Sequence, residues 1–136
     1  MPVRAFLFDF DGLILDTETA SRAGWQWLYR QHGHELPPEK WALMVGTVDG
    51  WDIWGHLEER TGPLDRRALD ERRFAHELSL LEAEGLRPGI AEYLDAAQRL
   101  GLKRAIVSSA SRAWIDMHLD RLERAVGWDA ILTADH

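Results

Sequence analysis

Apolar residues run almost unbroken through positions 3–10 (Val-Arg-Ala-Phe-Leu-Phe-Asp-Phe), with Arg4 near the start of the run and Asp9 near its end. A run so rich in β-formers predicts a strand covered on both faces within a parallel sheet. Asp11-Gly12 breaks it, and from Thr17 the pattern becomes helical. Trp25, Leu28 and Tyr29 recur at helix spacing before a stop at Gly33. Pro37-Pro38 restart a second helix that passes Trp41 to Val45 and ends at Gly46. A third helix is expected from Asp49 to Arg60, before Gly62-Pro63. A fourth, from Leu64 to Glu84, would align Leu64, Ala68, Ala75, Leu78 and Leu81 in one stripe before Gly85. Beyond Gly85 helix and strand alternate. Pro88 opens a helix to Leu100, residues 102–109 read as a strand, Ser111 or Arg112 opens a helix that stops near Gly127, and residues 130–134 read as a third strand. Alternation of this kind marks right-handed βαβ units. The expected fold is therefore α/β: a Rossmann-like parallel sheet made of residues 1–16 and 86–136, with residues 17–85 inserted as an α-helical cap. There is no internal repeat.

Length and composition narrow the classes. A chain of 136 residues holds one domain, or a small core with an inserted lid. Its formal charge of −7 argues against a nucleic-acid partner, so an anionic substrate has to be captured locally. Absence of Cys excludes disulfides and thiolate chemistry. The opening Met-Pro-Val-Arg leads into an apolar run far below membrane-spanning length, which makes no membrane association and a cytoplasmic location the expectation. Trp25, Trp27, Trp41, Trp51 and Trp54 supply either the core of the helical insert or a substrate platform. His32-Gly33-His34 lacks a third ligand at recognisable spacing, and His76-Glu77 lacks the second His of a zinc-protease helix.

In an open parallel sheet, ligands bind beyond the carboxyl ends of the strands. The first strand delivers Asp9 and Asp11 there, and the second delivers Ser108 and Ser109. A carboxylate at the end of an apolar strand is costly to desolvate, and a divalent cation is an efficient partner for it. Asp9 and Asp11 alternate along an extended chain, so their side chains lean the same way. One can attack phosphorus while the other moves protons, which splits a difficult displacement into two easier ones. Ser109 supplies a hydroxyl just ahead of a helix start, where unpaired N–H groups favour anions.

The run Asp9-Phe10-Asp11-Gly12-Leu13-Ile14-Leu15-Asp16-Thr17-Glu18 closely resembles the first motif of haloacid dehalogenase superfamily phosphatases and phosphomutases that carry a small helical cap. Arg87-Pro88-Gly89-Ile90, together with Gly101-Leu102-Lys103-Arg104-Ala105-Ile106-Val107-Ser108-Ser109-Ala110-Ser111-Arg112, resembles the second motif and its lead-in. Trp128-Asp129-Ala130-Ile131-Leu132-Thr133-Ala134-Asp135 resembles the strand before the third motif. The resemblance implies Asp9 as nucleophile and Asp11 as acid/base. It implies Mg2+ held by the Asp9 carboxylate and the Asp11 backbone carbonyl, and phosphate bound at Ser109 and Ala110, with Ser108 as the off-by-one alternative. Gly46 and Thr47 fall where the substrate-contacting loop of the cap lies in relatives, and Glu18 and Arg112 flank the presumed entrance as further substrate candidates. Dehalogenases of the family lack an aspartate at the position of Asp11, so its presence implies phosphoryl transfer.

Two departures qualify the resemblance. Some sugar-phosphate mutases carry Arg after the glycine corresponding to Gly46, whereas Thr47-Val48-Asp49 follows here. The family's third-motif Lys and fourth-motif acidic pair are expected beyond His136, which makes the chain read as truncated before them; Lys40 and Lys103 are its only lysines, and neither is placed to substitute. The first strand is then an exposed edge, and the chain is expected to be unstable alone, to self-associate through that edge, or to be part of a longer protein. The resulting expectation is a Mg2+-dependent phosphatase that hydrolyses a small phosphate monoester, a sugar or metabolite phosphate, through an aspartyl-phosphate. The alternatives are a sugar phosphomutase and a catalytically incomplete fragment.

Overall fold

The computed structural model describes residues 2–46, 50–124 and 126–135. In chain order the elements are β1 (Ala5–Phe8), α1 (Thr17–Gln31), α2 (Pro38–Trp41), α3 (Ile53–Thr61), α4 (Arg66–Leu81), α5 (Ile90–Arg99), β2 (Lys103–Val107), α6 (Arg112–Arg121) and β3 (Ala130–Leu132). They fall into two compact units, one of residues 1–17 and 84–136 and the other of residues 18–83. The first is α/β with a wholly parallel sheet, as the alternating pattern predicts; the second is helical.

In the α/β unit the strands lie in the order β1-β2-β3. Phe8 is level with Ile106, and Ile106 with Ile131. Sequence pattern predicts β1 and β2 longer at both ends and β3 longer at its carboxyl end, and the pairing trims them to the residues that have a neighbour. Among the described residues the two sheet faces are covered unequally, where the apolar run predicts that both are covered. Phe8 and Ile106 are buried, but on the opposite face Leu7 is 70% exposed, Leu132 51% and Val107 43%. Topology supplies the reason: two right-handed crossovers stepping in one direction across a sheet put both helices on the same side. Helix α5 lies against β2 and buries Ile90, Leu94 and Ala97, while α6 buries Ile115 and Leu119. Gly89 at the N-cap of α5 has φ +91°, a conformation in which a Cβ is strained.

The helical unit packs around Trp25, Leu28, Tyr29, Leu36, Trp41, Ile53 and Leu57, with Trp27, Trp51 and Trp54 partly buried against them. These five tryptophans are therefore core and core margin. Tyr29 is fully buried and its hydroxyl donates to the Ile53 carbonyl at 2.8 Å, tying α1 to the start of α3. Burial pushes that phenol up to about 12. Asp52 caps α3 by accepting from the Gly55 N–H at 2.8 Å, and Asp65 caps α4 by accepting from Ala68 at 3.2 Å. Helix α2 stops at Trp41 rather than continuing to Val45, because residues 42–46 form turns.

The buried stripe of α4 also differs from the expected one. Ala68 and Ala75 are exposed, whereas Arg73, Glu77 and Leu81 are buried. Gly24 of α1 explains the choice. A Cβ there would sit 3.4 Å from the Glu77 Cβ and 3.5 Å from the Arg73 carbonyl, so the glycine brings the two helices close at the polar residues. The Arg73 guanidinium lies over the Trp25 ring at 4.7 Å and pairs with Glu77 at 2.6 Å and Asp70 at 2.8 Å. A buried charge pair is tolerated only while complete. Arg73→Met and Glu77→Leu are each expected to destabilise the unit by about 3 kcal/mol, with the double substitution costing less than either alone. Urea unfolding of the four proteins measures this, and additive losses would show that the charges are solvated.

Candidate active site

Strand β1 ends at Phe8, and the chain immediately reaches Asp9, which is exposed. One Asp9 oxygen accepts the Phe10 N–H at 2.7 Å; the other makes no hydrogen bond among the described residues. Phe10, Ile14 and Leu15 are completely buried, so the polar residues between them are forced around a turn at the rim. Gly12, at φ +75°, makes that turn possible. Its N–H donates to the Leu15 carbonyl at 2.8 Å and lies 3.1 Å from the Thr17 hydroxyl oxygen, while the Ile14 N–H donates to Phe10 at 2.9 Å. Arg87 clamps the turn from the segment before α5. Its N–H reaches the Ile14 carbonyl at 2.9 Å, and its guanidinium reaches the Gly12 carbonyl at 3.0 Å and stands 3.7 Å from the Asp16 carboxylate.

Extending the β1–β2 register by one residue puts Asp9 level with Val107, with Ser108 and Ser109 just beyond. Ser109 is exposed. Ser108 is tied into the sheet, its N–H donating to Leu132 at 3.0 Å and its hydroxyl oxygen accepting from the Ala110 N–H at 3.1 Å. Ser111 caps α6 by accepting from the Trp114 N–H at 3.3 Å. The Arg112 N–H points between both oxygens of Asp135 at 3.1 Å, and the Thr133 hydroxyl donates to Asp135 at 2.6 Å. The Arg112 guanidinium runs along its own helix to Asp116 at 2.8 Å.

Asp9, Asp11, Ser109, Ala110 and Arg112 thus share the carboxyl-end rim of the α/β unit. Glu18 and Gly46 belong to the helical unit, in the first turn of α1 and in the exposed turns after α2, and Thr47 lies outside the described residues. Lys103 is at the amino end of β2, paired with Asp129 at 2.8 Å, and Lys40 lies 5.9 Å from the Trp51 ring. Among the described residues no three His, Cys, Asp or Glu side chains cluster as a ligand set. The donors at the rim are two carboxylates and backbone oxygens. That sparse, all-oxygen set fits Mg2+, which binds through one or two carboxylates and keeps several waters.

Three residues here escape sequence reasoning. Arg87 is one. Trp114 is the second: its indole N–H donates to Asp11 Oδ1 at 2.9 Å across 103 positions. His118 is the third, almost wholly buried, with no hydrogen-bond partner for either ring nitrogen among the described residues. It stacks on Phe10 at 6.2 Å and meets the Trp114 ring edge-to-face at 4.2 Å. Their signals are long-range contacts, which leave no local pattern. Burial lowers the His118 pKa, the Arg121 charge lowers it further, and Asp11 partly opposes both.

A histidine whose folded pKa is depressed leaves the unfolded chain holding more protons as pH falls. Stability is therefore full above the unfolded value of about 6.5 and declines below it, until the lowered folded value is passed. His56, lowered mainly by burial, acts in the same direction. The melting temperature is expected to drop between pH 7.5 and 5.5, and to drop less in His118→Leu. Equal losses in both proteins would show that folded His118 takes up its proton freely.

Comparison with known proteins bears on family and fold. The profile of the family described as haloacid dehalogenase-like hydrolase matches residues 3–136. The chain is 38% identical over 134 residues to "Putative phosphatase YhcW" of Bacillus subtilis, covering 98% of this chain and 61% of that protein. In fold it is similar to the crystal structure of a "putative beta-phosphoglucomutase" from Thermotoga maritima, with a TM-score of 0.77, 19% identity, and coverage of 98% of this chain and 62% of that one. It is also similar to the magnesium-bound "putative HAD-hydrolase YfnB" from Bacillus subtilis, with a TM-score of 0.66, 17% identity, and coverage of 99% and 66%. At these identities the two structures speak to fold alone. The chain spans about three-fifths of the length of YhcW. No helix among the described residues is long and apolar enough to cross a membrane. With the profile matching nearly every residue, the chain belongs to the haloacid dehalogenase-like hydrolase family.

Proposed function

We propose that the carboxyl-end rim of the sheet is the nucleophile half of a Mg2+-dependent phosphatase that hydrolyses a small phosphate monoester, a sugar or related metabolite phosphate, in the cytoplasm. The observation that carries the reading is the parallel pairing of β1 with β2, from whose neighbouring carboxyl ends the segments bearing Asp9 and Asp11 and bearing Ser109 and the start of α6 depart. The phosphatase description of YhcW supports it.

In this reading an Asp9 oxygen attacks phosphorus, an O–P bond forms, and the bond from phosphorus to the ester oxygen breaks. Asp11 gives its proton to the departing oxygen, then takes one from a water that attacks the aspartyl-phosphate. The bond to Asp9 breaks and inorganic phosphate leaves. The Ser109 hydroxyl donates to a non-bridging oxygen. The Ala110 N–H does so after exchanging its present partner, the Ser108 hydroxyl oxygen. Mg2+ held by Asp9 and the Asp11 backbone carbonyl supplies charge neutralisation between carboxylates and phosphate.

With the whole protein in magnesium-containing buffer, release of phosphate from an aryl phosphate is expected and Asp9→Asn should reduce it to background. On an alkyl phosphate, whose leaving oxygen needs a proton, Asp11→Asn should lower kcat/KM by about 10²–10⁴-fold. Turnover that survives Asp9→Asn would sink the reading. We also propose self-association through the β1 edge and its bare apolar face, where Leu7 stands out. Sedimentation should show an oligomer that Leu7→Lys converts to monomer, and a wild-type monomer at high concentration would exclude it.

A further inference from the structure

Asp11 is half-buried just past the end of β1 and is held more firmly than a solvated carboxylate requires. Phe10 is completely buried beside it; His118 stacks on Phe10; Trp114 meets His118 edge-to-face; and the Trp114 indole N–H returns to Asp11 Oδ1 at 2.9 Å. These contacts close a ring that begins and ends on adjacent residues. The Trp114 backbone is fixed as well, because its N–H donates to the Ser111 cap at the first turn of α6. Asp11 Oδ2 makes no hydrogen bond among the described residues. One carboxylate oxygen is thus fastened and the other is left to exchange a proton.

We propose that Trp114 is a positioning residue for the proton transfers of Asp11, its indole N–H fixing the carboxylate so that Oδ2 faces the ester oxygen. The proposal rests on the assignment of Asp11 as acid/base made above. An indole N–H can only donate, so it fixes the orientation of the carboxylate without competing for its proton. A misaimed general acid loses the proton-transfer contribution while nucleophile and phosphate contacts remain. The loss should then depend on how much the departing oxygen needs a proton.

The test is Trp114→Phe, which keeps an aromatic ring against His118 and removes the donor. For an alkyl phosphate, whose alkoxide leaves only when protonated, kcat/KM is expected to fall by about 10²-fold, within the range of a lost general acid. For p-nitrophenyl phosphate, whose phenolate leaves unaided, kcat/KM should change little. A loss of equal size on both substrates would mark a structural role, and no loss on either would show the hydrogen bond to be idle; both overturn the proposal. A second measurement does not depend on turnover. The Trp114 indole N–H resonance, assigned by its disappearance in Trp114→Phe, should move in Asp11→Ala and stay in place in Asp9→Asn. An indole signal indifferent to Asp11 refutes the contact. If the wild-type protein releases phosphate from no ester, the phosphatase reading falls and the catalytic use of Trp114 falls with it, while the indole resonance still reports whether the ring of contacts exists.

Discussion

Burial of Phe10, Ile14 and Leu15 is the constraint on which the rim depends. These three side chains lose all contact with solvent, and a chain that buries positions 10, 14 and 15 has to turn between them. Asp9, Asp11 and Gly12 are consequently left at the carboxyl end of β1. Hydrophobic burial is non-directional, so it does not aim a carboxylate by itself. Aim comes from the hydrogen bonds laid over that anchor: Arg87 on the Gly12 and Ile14 carbonyls, the Thr17 hydroxyl beside the Gly12 N–H, and Trp114 on Asp11. Each of these partners comes from a different segment of the α/β unit.

Polar groups are buried in both units, and each is treated differently. In the helical unit Arg73 is enclosed with two carboxylates and an indole face, so its charge is kept and matched. In the α/β unit His118 is enclosed among aromatic rings with no hydrogen-bond partner among the described residues, and burial holds its pKa below the ordinary value. The distinction follows from the pKa of each side chain. A guanidinium stays protonated under any ordinary condition and demands a counter-charge, whereas imidazole can release its proton at modest cost.

Topology decides the character of the sheet surface. A strand order that progresses in one direction gathers α5 and α6 on one side, leaving Leu7, Val107 and Leu132 bare on the other. The same order places the ends of β1 and β2 side by side, which brings the acidic motif and the serine run to one rim. One rule of chain handedness therefore accounts for both the candidate site and the exposed apolar face.

Much of this was legible in the linear chain. The alternating pattern after Gly85 determined an α/β unit with a parallel sheet, and the helical period between Thr17 and Glu84 determined an inserted helical segment, because hydrophobic periodicity is a local property. The positions of Asp9, Asp11 and Ser109 at strand ends followed from the same pattern. Tertiary structure alone decided three things: that one sheet face stays bare, that Arg73 and Glu77 rather than Ala68 and Ala75 turn inward on α4, and that Trp114 reaches Asp11. The reason is common to all three. Each depends on which surfaces meet across many intervening residues, and side-chain periodicity records only that a residue repeats along its own helix or strand, not what it will be pressed against.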